Sequence, residues 1–349
     1  MKRQLLGVAA FMLALSAHAQ DNPLWMRYCA ISPDGTSIAF TYKGDIYTVP
    51  VNGGKAAQIT TNAAHDTHPV WSPDGKQIAF ASDRMGSMDI FVVDREGGIP
   101  KRLTTHSGNE TPVAFKDADH ILFLANVMPS AEDAQFPSGQ FQQVYEVSTT
   151  GDRPVMFSSM PMEDISINKT GNALLYHDKK GYEDPWRKHH TSSITRDIWL
   201  CSLDGKRSYR KLTSFNGEDR TPVWASDGKS FYYLSEEKGS FNVFKRALDG
   251  TSSTQLTHHT KHPVRFLTAA DNGTLCYGYD GEIYTMKEGT EPRKVQISIL
   301  TDKNDKDLIR QIRRNGATEI ALSPDAKEVA FILRGDVYVT SVEYKTTKQ

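Results

Sequence analysis

The chain has 349 residues, 38% hydrophobic and 24% charged, with a formal net charge of −1. That mixed, near-neutral balance excludes a chain-wide disordered polymer and a non-specific nucleic-acid binder. Three scattered cysteines, Cys29, Cys201 and Cys276, exclude a disulfide scaffold and a CxxC zinc site.

In chain order, the first feature is a removable leader over residues 1–19. Lys2 and Arg3 form a basic start, Leu5 to Leu15 a short apolar run, and Ala17-His18-Ala19 a small-x-small cleavage site. The run is too short to span a bilayer, and no later segment reads as a membrane span. The expected product is exported and periplasmic. Without Lys2 and Arg3 the chain keeps 39 basic residues against 42 acidic ones, a net charge of −3. Fourteen Tyr and fifteen Phe favour strands.

A repeat follows. Ile31-Ser-Pro-Asp-Gly35 leads to Ile38-Ala-Phe40, Asp45-Ile-Tyr47, Gly53-Gly54 and Gln58-Ile-Thr60. Forty residues on, Trp71-Ser-Pro-Asp-Gly75 leads to Ile78-Ala-Phe80, Asp89-Ile-Phe91, Gly97-Gly98 and Arg102-Leu-Thr104. Weaker copies start at Phe115, Ile167, Trp224 and Ala270. Each unit holds four short apolar runs parted by turn signals, which predicts an all-β chain of four-stranded antiparallel blades stacked as a β-propeller. Six units fill residues 20–299. Unit one starts near Trp25 and unit six ends with an outer strand over Arg293 to Ile297. No strand remains to exchange, so the expected six-bladed ring closes by side-chain packing alone.

Residues 300–316 read as a helical linker. Asn304 to Asn315 has early Asp305 and Asp307, late Arg310, Arg313 and Arg314, and an apolar stripe of Leu308, Ile309 and Ile312, with Gly316 as terminator. The repeat restarts over 317–349 with Ser323-Pro-Asp325, Val329-Ala-Phe331 and Asp336-Val-Tyr338. This reads as the first, incomplete blade of a second propeller, with three strands and a chain cut short. The alternative is a seventh blade completed by residues before Trp25. Those are few and include Pro23, which cannot donate to a ladder.

Two insertions, Asn126 to Gln143 and Lys179 to Thr195, both follow a second strand and so share one face. The expected channel-mouth residues on that face are Arg27, His68, Glu110, Glu163, Asp164, Asp219, Arg220, Lys261 and His262. Their mixed signs suit a peptide or another polar chain, or simple solvation of a channel mouth. Tyr182, Trp186, Arg187, His189 and His190 are docking-loop candidates, or parts of a loop packed on its own blade. His65-x-x-His68 and His258-His259-x-x-His262 lack an acidic ligand at helical spacing, so no metal and no cofactor is expected. Cys29 and Cys276 become neighbours when the ring closes, as free thiols or as a disulfide. No G-x-S-x-G, H-E-x-x-H or Walker pattern occurs, and no catalytic residue is assigned.

The Trp71-Ser-Pro-Asp-Gly75 and Ile78-Ala-Phe80 pair resembles the exported propeller superfamily that includes TolB and the propellers of tricorn-type and dipeptidyl-peptidase-like proteases. The Asp184-Pro-Trp-Arg-Lys-His-His-Thr-Ser-Ser-Ile-Thr-Arg-Asp-Ile-Trp199 segment, the six units and the short linker resemble the tricorn-type serine proteases. That resemblance implies a six-bladed propeller ahead of a seven-bladed one, a PDZ domain and a catalytic domain. It also implies that the catalytic residues lie outside these 349, and that the ring guides peptides to or from a protease core. Implied partners are peptides or unfolded polypeptide and the remaining protease domains, with no nucleic acid. Homo-oligomers stay open. A free-standing TolB-like binding or scaffold propeller is the runner-up; TolB-type proteins carry an α/β domain before the ring, for which this chain has no room. An independent hydrolase using the channel is the third reading.

Overall fold

The structure, a computed structural model, describes residues 23–126, 141–181, 184, 186–187, 193–300, 313–344 and 346–348. The leader, most of the predicted linker helix and much of both insertions lie outside these residues. Among the described residues there are strands and no helix.

In chain order the first sheet holds β1 (Arg27–Ile31), β2 (Ser37–Tyr42), β3 (Asp45–Pro50) and β4 (Gly54–Gln58). The second holds β5 (Asp66–Trp71), β6 (Gln77–Ser82), β7 (Asp89–Asp94) and β8 (Lys101–Arg102). The third holds β9 (Glu110–Phe115), β10 (His120–Ala125), β11 (Gln143–Ser148) and β12 (Val155–Ser158). The fourth holds β13 (Met162–Ile167), β14 (Ala173–Asp178), β15 (Ile198–Ser202) and β16 (Tyr209–Lys211). The fifth holds β17 (Asp219–Trp224), β18 (Ser230–Ser235), β19 (Asn242–Ala247) and β20 (Ser253–Gln255). The sixth holds β21 (Arg265–Ala269), β22 (Leu275–Tyr279), β23 (Glu282–Met286) and β24 (Arg293–Lys294). Each is an antiparallel meander. The first strands touch in the order β1, β5, β9, β13, β17, β21, and β21 returns to β1.

The repeat residues explain this order. In Ser-Pro-Asp-Gly, Asp34 Oδ1 accepts from Ser32 Oγ at 2.5 Å and from Thr36 N at 2.9 Å. Asp74 does the same for Ser72 and Lys76. The Thr that ends each Ile-Thr or Leu-Thr pair accepts an amide at the start of strand three: Ile46 N to Thr60, Ile90 N to Thr104, Ile198 N to Thr213 and Val243 N to Thr257, all within 2.9–3.0 Å. The strand alternation then feeds two seams at once. Ile38 and Phe40 pack in a cluster shared with the sixth sheet, while Ala39 and Ile46 pack in one shared with the second. Among the described residues six such clusters occur, each shared by two neighbouring sheets. Trp71 and Trp224 also cross a seam, donating Nε1–H to Ala30 O and Ser166 O at 2.9 Å.

Two expectations about the chain's ends fail. The last strand of the sixth sheet stops at Lys294, and the chain then crosses to the first sheet. There β25 (Ile297–Ile299) pairs parallel to β4. A strand therefore does join first and last units, because Val295 and Ile297 are apolar and fill the seam. The second failure lies after residue 312. Arg313 to Asn315 is not helical, and the final sheet has four strands, not three: β26 (Ala317–Leu322), β27 (Glu328–Leu333), β28 (Asp336–Ser341) and a two-residue β29 (Thr347–Lys348). The three cysteines are free and buried.

The β25 crossing rests on Gly53. Its φ is +88°, and Gly54 N donates to Gln296 O at 2.8 Å. A Cβ on Gly53 would stand only 2.4 Å from that carbonyl oxygen. Gly53→Ala should therefore cost about 2 kcal/mol or more, read as a lower urea midpoint at unchanged m-value. Gly54→Ala, where no atom lies within 4 Å, should cost less.

Candidate functional site

The first strands line one cavity of about 1090 Å³, with residues Tyr28–Ile31, His68–Trp71, Thr111–Phe115, Glu163–Ile167, Arg220–Trp224 and Arg265–Ala269 as its wall. A shared distortion aims that wall. The register slips near the start of β1, β5, β13, β17 and β21. At each slip one residue is left-handed: Tyr28 (φ 52°), His68 (54°), Asp164 (50°), Thr221 (52°) and Phe266 (57°). Left-handed backbone is disfavoured for side chains of this size, and a bulge re-aims the one that bears it. These five side chains all reach the cavity. The third sheet differs: its slip lies between Leu122 and Phe123, and none of its described residues is left-handed apart from Gly151. Beyond this tier the lining passes Val70, Val113, Ile165, Val223 and Leu267, and becomes polar again at the following turns with Lys116, Asn168, Lys169 and Asp271.

At the tier the wall is polarised. On β13, Glu163 accepts from Lys179 Nζ at 2.6 Å and Arg196 Nη1 at 3.3 Å, and lies 3.2 Å from His177 Nε2. Burial opposes its charge, but the facing His177, Lys179 and Arg196 hold the carboxyl far below the ordinary range. Asp164 accepts the Thr221 hydroxyl at 2.6 Å and lies 3.5 Å from His177 Nδ1. Arg220 stands on the neighbouring fifth sheet, and Arg265 and Arg27 on the sixth and first. Burial, then the like charges of Arg220 and Arg27, push Arg265 down to about 9. His68 is neutral: burial first, then His65, pushes it down to about 4, and its ring lies 3.6 Å from that of Tyr28.

The insertion of the fourth sheet reaches over this tier. Trp186 lies between two guanidiniums, with Arg27 at 4.6 Å and Arg265 at 5.0 Å from the ring centroid, and meets Phe266 edge-on at 6.0 Å. Arg265 Nη2 also donates to the backbone oxygens of Trp186 and Arg187, at 2.9 and 3.2 Å. Arg187 is buried and donates to Glu218 at 2.7 Å and Glu236 at 2.6 Å. A loop from the fourth sheet is thus pinned to the fifth, sixth and first.

Of the nine expected mouth residues, the structure brings Arg27, His68, Glu163, Asp164 and Arg220 to this tier. Glu110 and Asp219 are misplaced. Each is buried at a seam: Asp219 stands just before the slip that opens at Arg220, and Glu110 opens β9, whose slip lies further along the strand. Lys261 and His262 lie before β21 begins; Lys261 is exposed and His262 pairs with Asp280 at 3.2 Å. Trp186 and Arg187 pack within the chain, against sheets other than their own, while Tyr182, His189 and His190 lie outside the described residues. His177, Arg196, Thr221, Arg265 and Phe266 also line this tier and were not expected there from the sequence. One signal was available: Pro69 and Pro222 inside first strands, since proline in a central strand marks a bulge.

The sequence pattern described as the tricorn protease N-terminal beta propeller domain matches residues 23–292. Tricorn protease homolog 1 of Streptomyces coelicolor is 25% identical over 279 residues, covering 79% of this chain and 25% of that protein. The tricorn protease of Thermoplasma acidophilum is 25% identical over 332 residues, covering 91% and 29%. The crystal structure of the tricorn protease superposes with a TM-score of 0.67 at 21% identity, covering 93% of this chain and 31% of that one. The chain thus spans about a quarter of the length of these curated relatives. With this match over most of its length, the chain belongs to the family of tricorn protease N-terminal β-propeller domains.

Proposed function

We propose that residues 20–299 form a six-bladed propeller that admits and guides peptides for an exported, periplasmic tricorn-like protease without cutting them. The supporting observation is the single cavity lined by all six first strands, charged at the insertion face and apolar at its waist. Such a wall binds extended chains with little side-chain selectivity. The apolar waist receives side chains, and the mouth meets the polar backbone and the charged ends. The relatives named as proteases carry this domain as a quarter to a third of their length. Residues 317–348 repeat the blade pattern once more. Ser323 donates to Asp325 at 2.7 Å, and Phe331 stacks on Tyr338 as Phe40 does on Tyr47. Ile320 and Leu322 are exposed at 74% and 60%, as on a blade that lacks its neighbour. This sheet reads as part of a second ring.

The test uses labelled peptides of mixed length with the purified chain. Fluorescence anisotropy should report saturable binding, and mass spectrometry should find the peptides intact. Arg27→Ala combined with Trp186→Ala, which opens the mouth, should change affinity at least threefold. Peptide cleavage by the purified chain would overturn the non-catalytic reading. Unchanged affinity in the double variant would remove the channel mouth from the binding path.

A further inference from the structure

Two cysteines meet across the seam that closes the ring. Cys29 lies on β1 and Cys276 on β22, near opposite ends of the ring in sequence. Both are buried, at 2% and 0% exposure, and both belong to the apolar cluster shared by the first and sixth sheets. The two strands that carry them, β1 and β22, pack against each other across this seam. The backbone around them is held from both sides. Cys29 Sγ lies 3.5 Å from Phe266 O, and Ile31 N donates to Thr268 Oγ1 at 3.1 Å. Thr268 is the register partner of Cys276. The strands that carry the two sulfurs are thus tied to each other through β21.

We infer that Cys29 and Cys276 form a disulfide site that closes the ring covalently. The step is thiol–disulfide exchange. One cysteine thiolate attacks an external disulfide, RS–SR, releasing RS⁻ and leaving a mixed disulfide. The second thiolate displaces the remaining RS⁻ and forms the Cys29–Cys276 bond. The two cysteines lose two electrons and two protons, and the external disulfide becomes two RSH. The oxidant is any small-molecule or protein disulfide. The thiolate is the reacting form, and burial holds the Cys276 thiol well above its ordinary value. Exchange therefore runs in chains whose seam has not yet packed, and the packed seam then shields the bond from reductant. The bond would reinforce a closure otherwise made by packing and by the three residues of β25. Cys201 is a control within the chain. It is buried in the cluster of the third and fourth sheets, where its Sγ lies 3.4 Å from Ser202 O.

The full chain is divided into two samples at sub-denaturing urea, so that the seam opens transiently. One is held in dithiol reductant and the other in a glutathione redox buffer at an oxidising poise. Both are then alkylated and mapped without reduction. The oxidised sample should lose two alkylation sites per chain, give a peptide joining Cys29 to Cys276, and leave Cys201 alkylated. Its urea midpoint should rise above that of the reduced sample. Cys201→Ala should keep this rise, and Cys29→Ala should abolish it. Because the parent chain is compared with itself in two redox states, a poorly folding variant does not decide the outcome. Three alkylated cysteines at the oxidising poise, a bridge through Cys201, or a bridge between chains would each overturn the inference.

Discussion

Arg187→Ala should lower the unfolding free energy by about 3–5 kcal/mol, the cost of leaving a buried ion pair without one partner. Arg187 is buried, and so are Glu218 and Glu236. Its guanidinium bonds one carboxylate with each terminal nitrogen and lies 5.2 Å from the centre of the Phe241 ring. The two glutamates fare differently once it is gone. Glu218 keeps Arg196 at 2.9 Å, whereas Glu236 loses its ion pair with Arg187. Adding Glu236→Gln to Arg187→Ala should therefore recover about half of the loss, and the double-mutant cycle from urea unfolding should give a coupling well above 1 kcal/mol. Arg187→Lys should recover little, because one ammonium cannot reproduce two diverging bonds to two carboxylates. The loss should also reach the channel. Trp186 precedes Arg187 and is held over the mouth by Arg27 and Arg265. Its fluorescence should shift to longer wavelength in Arg187→Ala before global unfolding begins. An unshifted spectrum with a stability loss below 1 kcal/mol would show that Arg187 does not anchor the loop.

Most of the ring was legible because each repeat motif performs one local task. Ser-Pro-Asp-Gly makes a turn, Ile-Ala-Phe serves two seams, and Leu-Thr ties strand four back to strand three. These tasks depend on spacing along the chain, and spacing is what a sequence displays. In the fifth sheet Asp219 was read onto the channel wall for a physical reason. A bulge adds a residue without changing composition, so Asp219 and Thr221 look equally placed until Thr221 turns left-handed. The sixth sheet was misread further, because its first strand, Arg265-Phe-Leu-Thr-Ala269, carries neither proline nor an opening acid. The closure was misread because Ile297-Ser-Ile299 looks like the end of an outer strand. Nothing local reveals that its partner is Gly54 to Ala56, on the far side of the seam. The part played by Arg265 was hidden likewise, since it depends on a tryptophan in another sheet's insertion.

Between pH 6.5 and 8 the ring should lose stability, and the seam acids should be the cause. Asp45 at the first seam, Glu110 at the second and Asp219 at the fourth each face a like charge across a seam, from Asp66, Asp89 and Asp197. Burial first, then that neighbour, lifts Asp45 and Glu110 to about 7; Asp219, opposed by Ser235 and Thr213, reaches about 6. Glu110 is the clearest case: it is 1% exposed, and its Oε2 has no hydrogen-bond partner. An acid raised from near 4 binds more proton in the folded state, so its contribution is complete below pH 4 and is lost as pH rises through 7. His65 and His68 act in the opposite direction. Burial first pushes each down to about 4, so they are neutral when folded and cost stability only as pH falls below 6.5. Above 6.5 the histidines no longer contribute and the acids remain. Glu110→Gln should remove a loss of about 1 kcal/mol between pH 6.5 and 8, seen as a flatter urea midpoint against pH. Asp219→Asn, with its lower folded value, should flatten it less. His68→Gln should leave that window unchanged and raise stability relative to the parent only near pH 5. An unchanged alkaline slope in Glu110→Gln would mean that Glu110 is already ionised in the folded seam, beside Asp89.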